Sequence, residues 1–522
     1  MRREYIKKKN CFRNSMKPSA QFVKGTLILS LTSLLCRFLG FFYKIFLAQA
    51  LGAEGMGIYQ LIFPVFSVCH ALTASGLETA VSRFTASRKE EGPAFLYAGV
   101  LLSLSASFLT GAALWLGADF ISVRFLHEAR CGPLLKILAA AIPLAAFHGC
   151  FAGYCLGCKK TGVPAAAQFM EQAVRIGTVW LLCGIFAQQG REITPSLAVF
   201  GLLSGEIASS LIMLTFAAPG RPAAGRIPGL IKKCRTLLSM AMPLTANRLT
   251  LALLQSLEAV LIPLCLRRSG LNTADALSLY GILTGMSMSF LMFPNALTSS
   301  VSSMLLPAVS EEQARGDRRS ISRTIEYTLQ FGLSIGIFCM GLFLRYGQRL
   351  GELFFQEPLA GRFLVTLAWI CPFLYLTGNL NSILHGLGQT AVTFINQLIG
   401  SGVRILCILL LVPSMGIQGV LLGILASQLA LSLLGILAVS RHVNPTIGLD
   451  VLVLKPLGAM LLSIGGVELA NRLCPALRLG GELIALIFSI GMMASAYFLL
   501  LLASGVWKAS GGFGKVCGKR RC

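Results

Sequence analysis

Apolar runs long enough to cross a bilayer as helices, about 20 residues each, recur from residue 25 to residue 504, and nothing else in the chain constrains its fold so tightly. Inside lipid every backbone polar group must find its partner within the protein, which leaves helices or closed barrels. A barrel would show alternation over segments of about ten residues instead. Hydrophobic residues make up 55% of the 522 and charged residues only 13%, against about a quarter in soluble domains. An all-α polytopic membrane protein is expected.

About fourteen transmembrane helices are expected, near 25–50, 57–80, 94–117, 134–157, 165–188, 195–217, 236–264, 277–306, 327–344, 363–385, 392–412, 416–440, 452–471 and 482–504. A cytoplasmic N-terminus and an even count return the C-terminus to the same side. Roughly three Lys or Arg then lie in cytoplasmic loops and tails for each one opposite, as the positive-inside rule requires. That rule accounts for the formal net charge of +24 without a nucleic-acid partner. The first 24 residues hold eight Lys or Arg, and Ala48-Gln-Ala50 matches a leader cleavage site. The apolar segment is too long for a leader and carries Arg37 and Lys44, so it reads as an uncleaved first helix.

The second half of the chain echoes the first. Gln168 to Val174-Arg175-Ile176 is repeated as Gln397 to Val403-Arg404-Ile405, and Ala71-Leu-Thr-Ala-Ser75 as Ala296-Leu-Thr-Ser-Ser300. Tyr59 and Tyr280 stand ahead of the second pair. The repeat offset is six spans, an even number, so the halves are parallel repeats of the kind that rock for alternating access. The expected divisions are a basic tail 1–24, a six-helix lobe 25–217, a linker 218–235, a second six-helix lobe 236–440, an appended pair of helices 441–504 and a basic tail 505–522. The tails are expected to rest on anionic membrane lipids.

Charges inside the spans mark the candidate site. A charge at membrane depth costs at least roughly 2.5–3.5 kcal/mol on insertion scales, so it faces protein or water. Arg37 and Lys44, two helical turns apart, give the first span a cationic face, with Gly40 between them. The second span adds Glu78 and Arg83, and the seventh, where the second lobe begins, carries Asn247, Arg248, Gln255 and Glu258. Pro243 and Pro263 bracket that helix and Pro294 interrupts the eighth, breaks that suit a cavity lining. The expected cavity is basic with one carboxylate: Arg37, Lys44, Arg83, Asn247, Arg248 and Glu258. The alternative is that Arg248 and Glu258 only pair helices internally.

Glu171 and Arg175 lie one turn apart and can pair. Arg404 has Gly400 where Arg175 has that carboxylate, and both arginines read as packing or interfacial anchors. Glu206 and Glu468 read as isolated intramembrane carboxylates, candidates for carrying a proton or sodium ion. Most of the sixteen cysteines sit in apolar runs as small hydrophobes. Cys155 and Cys158 have a metal-like spacing but no second ligand pair follows, and no metal site is expected. No Walker-type loop, paired carboxylates in a loop, or nucleophile–base set is present, so the chain does not read as an enzyme.

Arg37-Phe-Leu-Gly-Phe-Phe-Tyr-Lys44, Leu51-Gly-Ala-Glu-Gly-Met-Gly-Ile-Tyr-Gln-Leu61 and the Lys24-Gly-Thr opening resemble the polysaccharide-transporter and lipid-flippase branch of the multidrug/oligosaccharidyl-lipid/polysaccharide exporter superfamily. Within that branch they resemble the stage V sporulation protein B subgroup. The resemblance implies two parallel, MATE-like six-helix lobes in a V, plus two C-terminal helices. It implies a bacterial plasma-membrane flippase, with both termini cytoplasmic, for a polyprenyl-pyrophosphate-linked saccharide such as a lipid II-like precursor for the spore cortex. No cofactor is implied. The driving force stays open among proton, sodium and membrane potential, and a cell-wall polymerase is the candidate protein partner. Basic residues on the first helix of each lobe would hold the pyrophosphate, which points to Arg37 and Arg248. Lipid II flippases continue the first motif with an Arg-Asp pair where this chain has Tyr43 and Lys44, so their ion-pair gate does not carry over. A cation-coupled multidrug exporter of the same fold is the runner-up, and would favour an acidic, aromatic cavity. A membrane enzyme of envelope assembly would need catalytic groups in outer loops such as 118–133 and 345–362.

Overall fold

The computed structural model describes residues 20–216, 229–295, 298, 318–441, 448, 450–473 and 482–506. The echo at 296–300 (except Thr298), most of the expected linker, and the tails up to 19 and from 507 lie outside the described residues. Among the described residues all regular structure is helical, and thirteen helices are long and apolar enough to cross a membrane. The first, Ile28–Ser87, has 60 residues, roughly 90 Å as a straight rod or about three hydrocarbon thicknesses. It therefore crosses twice and supplies the first two spans. Its turn falls at Gly52, where φ of 70° and ψ of 179° leave the helical region. Glycine adopts that φ without steric cost. Arg175 on the fifth span stands within Coulombic reach of both Tyr43 and Tyr59, on either side of the turn.

The remaining spans are Lys89–Phe125, Cys131–Gly157, Gly162–Gln188, Pro195–Phe216, Leu230–Arg268, Thr273–Asn295, Ile321–Phe355, Pro358–Gly386, Thr390–Met415, Ile417–Ser440, Asp450–Arg472 and Glu482–Ala503, third to fourteenth. Several run past their expected ends. The ninth reaches Phe355, so the segment expected as an outer loop at 345–362 is largely helix. Arg345, Arg349 and Glu352 lower its hydropathy, yet Tyr346, Leu350 and Phe355 in the same stretch are buried. The prolines also act otherwise than expected. Pro243 and Pro263 lie inside one continuous helix, Leu230–Arg268, and the eighth span continues through Pro294. The irregular turns are π-helical instead, at Ala71–Ser75, Ile121–Phe125, Ile282–Ser287 and Asp450–Leu454.

The repeat survives as matching helix contacts. A Cβ on Gly201 of the sixth span would lie 3.1 Å from the Arg175 carbonyl oxygen, and one on Gly423 of the twelfth 3.7 Å from that of Arg404. Small residues let backbones approach where lipid supplies no hydrophobic drive between helices. The last two spans dock on the ninth. Tyr497 Oη donates to the Ser334 carbonyl at 2.8 Å and Gln330 Nε2 to the Val506 carbonyl at 2.6 Å.

Candidate functional site

Among the described residues, glycines let the two lobes approach backbone to backbone at two crossings. Near one end a Cβ on Gly57 of the second span would lie 2.1 Å from the Leu277 carbonyl oxygen, and one on Gly281 of the eighth 2.2 Å from that of Ala53. Near the other, a Cβ on Gly76 would lie 2.7 Å from the Ala241 carbonyl oxygen of the seventh span. An ion pair of 3.4 Å between Glu91 and Lys233 reinforces that second crossing. Between them the second and seventh spans part around a cavity of about 360 Å³. Its polar groups are Ser67, His70, Ser75, Arg248 and Gln255, set among Phe66, Leu251 and Ala252.

Arg248 bridges the lobes across this cavity. Its Nη1 donates to the Ser75 carbonyl at 3.2 Å. Ser75 closes the π turn, and its carbonyl also accepts from Thr79 Oγ1 at 3.2 Å. Glu78, one turn on, stands within Coulombic reach of Arg248 and His148. Deeper in the first lobe Glu171 pairs with Arg175, and His148 Nδ1 faces Glu206 Oε2 at 3.7 Å.

The second lobe carries its own pocket of about 240 Å³, lined by Glu258, Arg404, Gln428 and the apolar side chains of Leu283, Met288 and Leu374 among others. Arg404 Nη1 donates to Glu258 Oε1 at 2.9 Å and its Nε to Ser427 Oγ at 2.9 Å, tying the seventh, eleventh and twelfth spans together.

The expected site is therefore divided. Arg248 lines the inter-lobe cavity. Glu258 lines the other pocket and pairs with Arg404, which corrects the single shared cavity and gives Arg404 the packing role rather than the interfacial one. The carboxylate missing at Gly400 is supplied from another helix, and that gap in the repeat was the signal that could have found it. Arg37, Lys44, Arg83 and Asn247 are absent from the cavity lining. Arg37 and Arg83 are exposed, and Lys44 and Asn247 half-buried. Phe38 and Phe41 pack on Phe293 and Phe290 of the eighth span. Neither candidate carboxylate is isolated. Glu206 faces His148, and Glu468 lies between Arg345 at 3.7 Å and Arg472 at 3.8 Å. His70 and Ser75 also line the cavity; Ser75 ends the repeated Ala71–Ser75 motif, but nothing in its spacing or in that of His70 pairs either with Arg248.

At one rim of the bundle the loop after the third span forms a small latch. Arg130 pairs with Glu54 at 2.7 Å and Glu128 at 2.8 Å. The hydrogen bond from Arg130 holds the Glu128 carboxyl below the usual carboxylate range, against its partial burial, and Arg267 of the seventh span adds to the effect.

A family model described as "Polysaccharide biosynthesis protein" matches residues 22–313, more than half of the chain. The chain belongs to that family. Stage V sporulation protein B of Bacillus subtilis (strain 168) is 28% identical over 439 residues, 80% of this chain and 84% of the relative. Lipid II flippase MurJ of the same organism is 22% identical over 455 residues, 81% and 83% of the two chains. A solved Lipid II flippase MurJ in an inward closed conformation superposes with a TM-score of 0.71 at 14% identity, over 92% of this chain and 99% of that one. An inward-facing MATE family transporter of the MOP superfamily gives 0.61 at 15%, over 79% and 98%. At such identities the structural likeness establishes the fold alone. The family member described here is a multi-pass membrane protein with the MurJ/MATE architecture, and it falls in the polysaccharide-transporter and flippase branch that its motifs resemble.

Proposed function

We propose that this protein flips a polyprenyl-pyrophosphate-linked saccharide, of the lipid II-like kind used for peptidoglycan, from the inner to the outer leaflet by alternating access. The observation that carries the reading is Arg248 lining a cavity that lies between two lobe crossings. A pyrophosphate offers the guanidinium charge-assisted, bidentate hydrogen bonds about twice as strong as those to a neutral carbonyl. Substrate would then displace the Ser75 carbonyl from Arg248 and undo a contact between the lobes. Phe66, Leu251 and Ala252 border the site with apolar surface suited to the first isoprene units. The likeness to stage V sporulation protein B supports a role in spore envelope assembly, with a cell-wall polymerase as the protein that consumes the flipped lipid. The cationic bias of the loops supports cytoplasmic termini and loading from the inner leaflet.

Native mass spectrometry of the purified protein, wild type beside Arg37→Ala and Arg248→Ala, tests this. Wild type is expected to carry a polyprenyl-pyrophosphate adduct whose mass identifies the sugar. Arg248→Ala should lose it, and Arg37→Ala, outside the cavity lining, should weaken it less. No adduct on wild type, with a cavity dye displaced by amphipathic cations, would turn the reading to a drug exporter.

A further inference from the structure

The first lobe holds a group of ionisable side chains that the proposed substrate site does not use. Glu206 is 7% exposed, and its Oε2 is buried without a hydrogen-bond partner. The atom facing it is His148 Nδ1 at 3.7 Å. Around this pair the second span contributes His70 and Glu78, the fifth Glu171 and Arg175, and the seventh Arg248. The third span presents a neutral group instead: Ser103, hydrogen-bonded to the Ala146 carbonyl of the fourth. Three carboxylates stand against two guanidiniums, so the group carries one net negative charge while both imidazoles are neutral. One proton makes it neutral.

We propose that His148 Nδ1 and Glu206 Oε2 form a proton-binding site that couples the motion of the lobes to proton uptake. A hard metal ion asks for a shell of oxygens, whereas a proton needs only these two facing atoms. The unpartnered carboxylate oxygen gives the proton a destination at low cost, because an orphaned buried charge is expensive. The consequence reaches the cavity through charge. Glu78 and His70 lie within Coulombic reach of Arg248, the residue that bridges to Ser75. With the group negative, Arg248 is held against the first lobe. Neutralised, the group attracts it less, and the guanidinium is freer to follow its own lobe. The proposal rests on the transporter reading for its purpose but not for its test, which needs no substrate.

The test is the proton count of the full-length protein in detergent, from potentiometric titration between about pH 5 and 8, where imidazoles titrate. Wild type is expected to take up one proton more than Glu206→Gln and one more than His148→Asn. The double variant should lose no more than either single one, because the proton is shared. Glu468→Gln, outside this group between Arg345 and Arg472, should keep the count. Selective 15N labelling of the histidines in wild type reads the same proton without mutation, as a signal that titrates cooperatively with an added carboxyl change in the infrared spectrum. Equal counts in wild type and both single variants, or an imidazole that stays neutral across the range with no carboxyl change, would overturn the proposal. Loss of two protons in the double variant would also overturn it, showing two separate groups.

Discussion

The two lobes carry the same arginine in the same motif and settle its charge in different ways. In the first lobe Arg175 meets Glu171 one turn earlier on its own helix. In the second, position 400 is glycine, and Arg404 reaches across to Glu258 on the seventh span and Ser427 on the twelfth. A Cβ at Gly400 would fall 2.5 Å from Leu431 Cγ, so the position that lost its carboxylate became a close helix contact. The first lobe pairs its arginine within one helix, and His148, Glu206 and Glu78 stand outside that pair. The second uses Glu258 to join three helices. A repeat can thus preserve its helices while one copy ties its arginine across three helices and the other pairs it within one.

The sharpest way to break this comparison is to remove the carboxylate from each lobe. Glu258→Ala should cost about 3–5 kcal/mol, because it strands the Arg404 charge in the interior. Thermal unfolding in detergent measures the loss, and Glu258→Leu combined with Arg404→Met should recover most of it. Glu171→Ala should cost less, since Glu206 still acts on Arg175. Equal losses in the two lobes would sink the distinction between the cross-helix pair and the same-helix pair.

The crossings can be tested next. Gly281→Ala forces a methyl against the Ala53 carbonyl and should cost the closed state about 1–3 kcal/mol. A cysteine introduced at Gln255 should then alkylate faster, and an unchanged rate would mean that this crossing does not gate the cavity. Arg248→Ala removes one hydrogen bond between the lobes, worth about 1 kcal/mol, and should raise the same labelling rate by a smaller factor.

The rim latch is expected to matter least. Arg130→Ala should lose about 0.2–1 kcal/mol, as exposed ion pairs do. The sign of its pH dependence follows from Glu128, whose carboxyl is held below its ordinary value in the folded protein. Its contribution is complete above the unfolded value of about 4.3 and fades as pH falls through the lower folded value. The difference in melting temperature between wild type and Arg130→Ala should therefore be present at neutral pH and vanish in acid. A difference that persists in acid would assign the effect to packing of the Arg130 stem.

Much of this architecture was legible in the chain. Run length set the number of crossings, and the Gln-to-Arg motifs exposed the repeat. Interior charges such as Arg248, Glu206 and Glu258 marked themselves by their cost in lipid. Helix ends were less legible, because Arg345, Arg349 and Glu352 lower the average hydropathy of a stretch whose other face is buried. The prolines misled because neighbouring helices can hold a spanning helix together where a backbone hydrogen bond is lost.

What the chain alone could not decide was which charges meet. Helical periodicity relates residues within a few turns of one helix, and Glu171 with Arg175 was accessible by that rule. Arg404 and Glu258 are 146 residues apart, and Arg248 and Ser75 are 173. Their meeting depends on the rotation and depth of each helix against its neighbours, quantities set by side-chain packing around Gly57, Gly76, Gly281 and Gly400. Run length and interior charge are enough to specify a membrane-spanning double lobe, since lipid penalises each polar residue separately. That one arginine reaches across a cavity and another ties three helices follows instead from the register between helices.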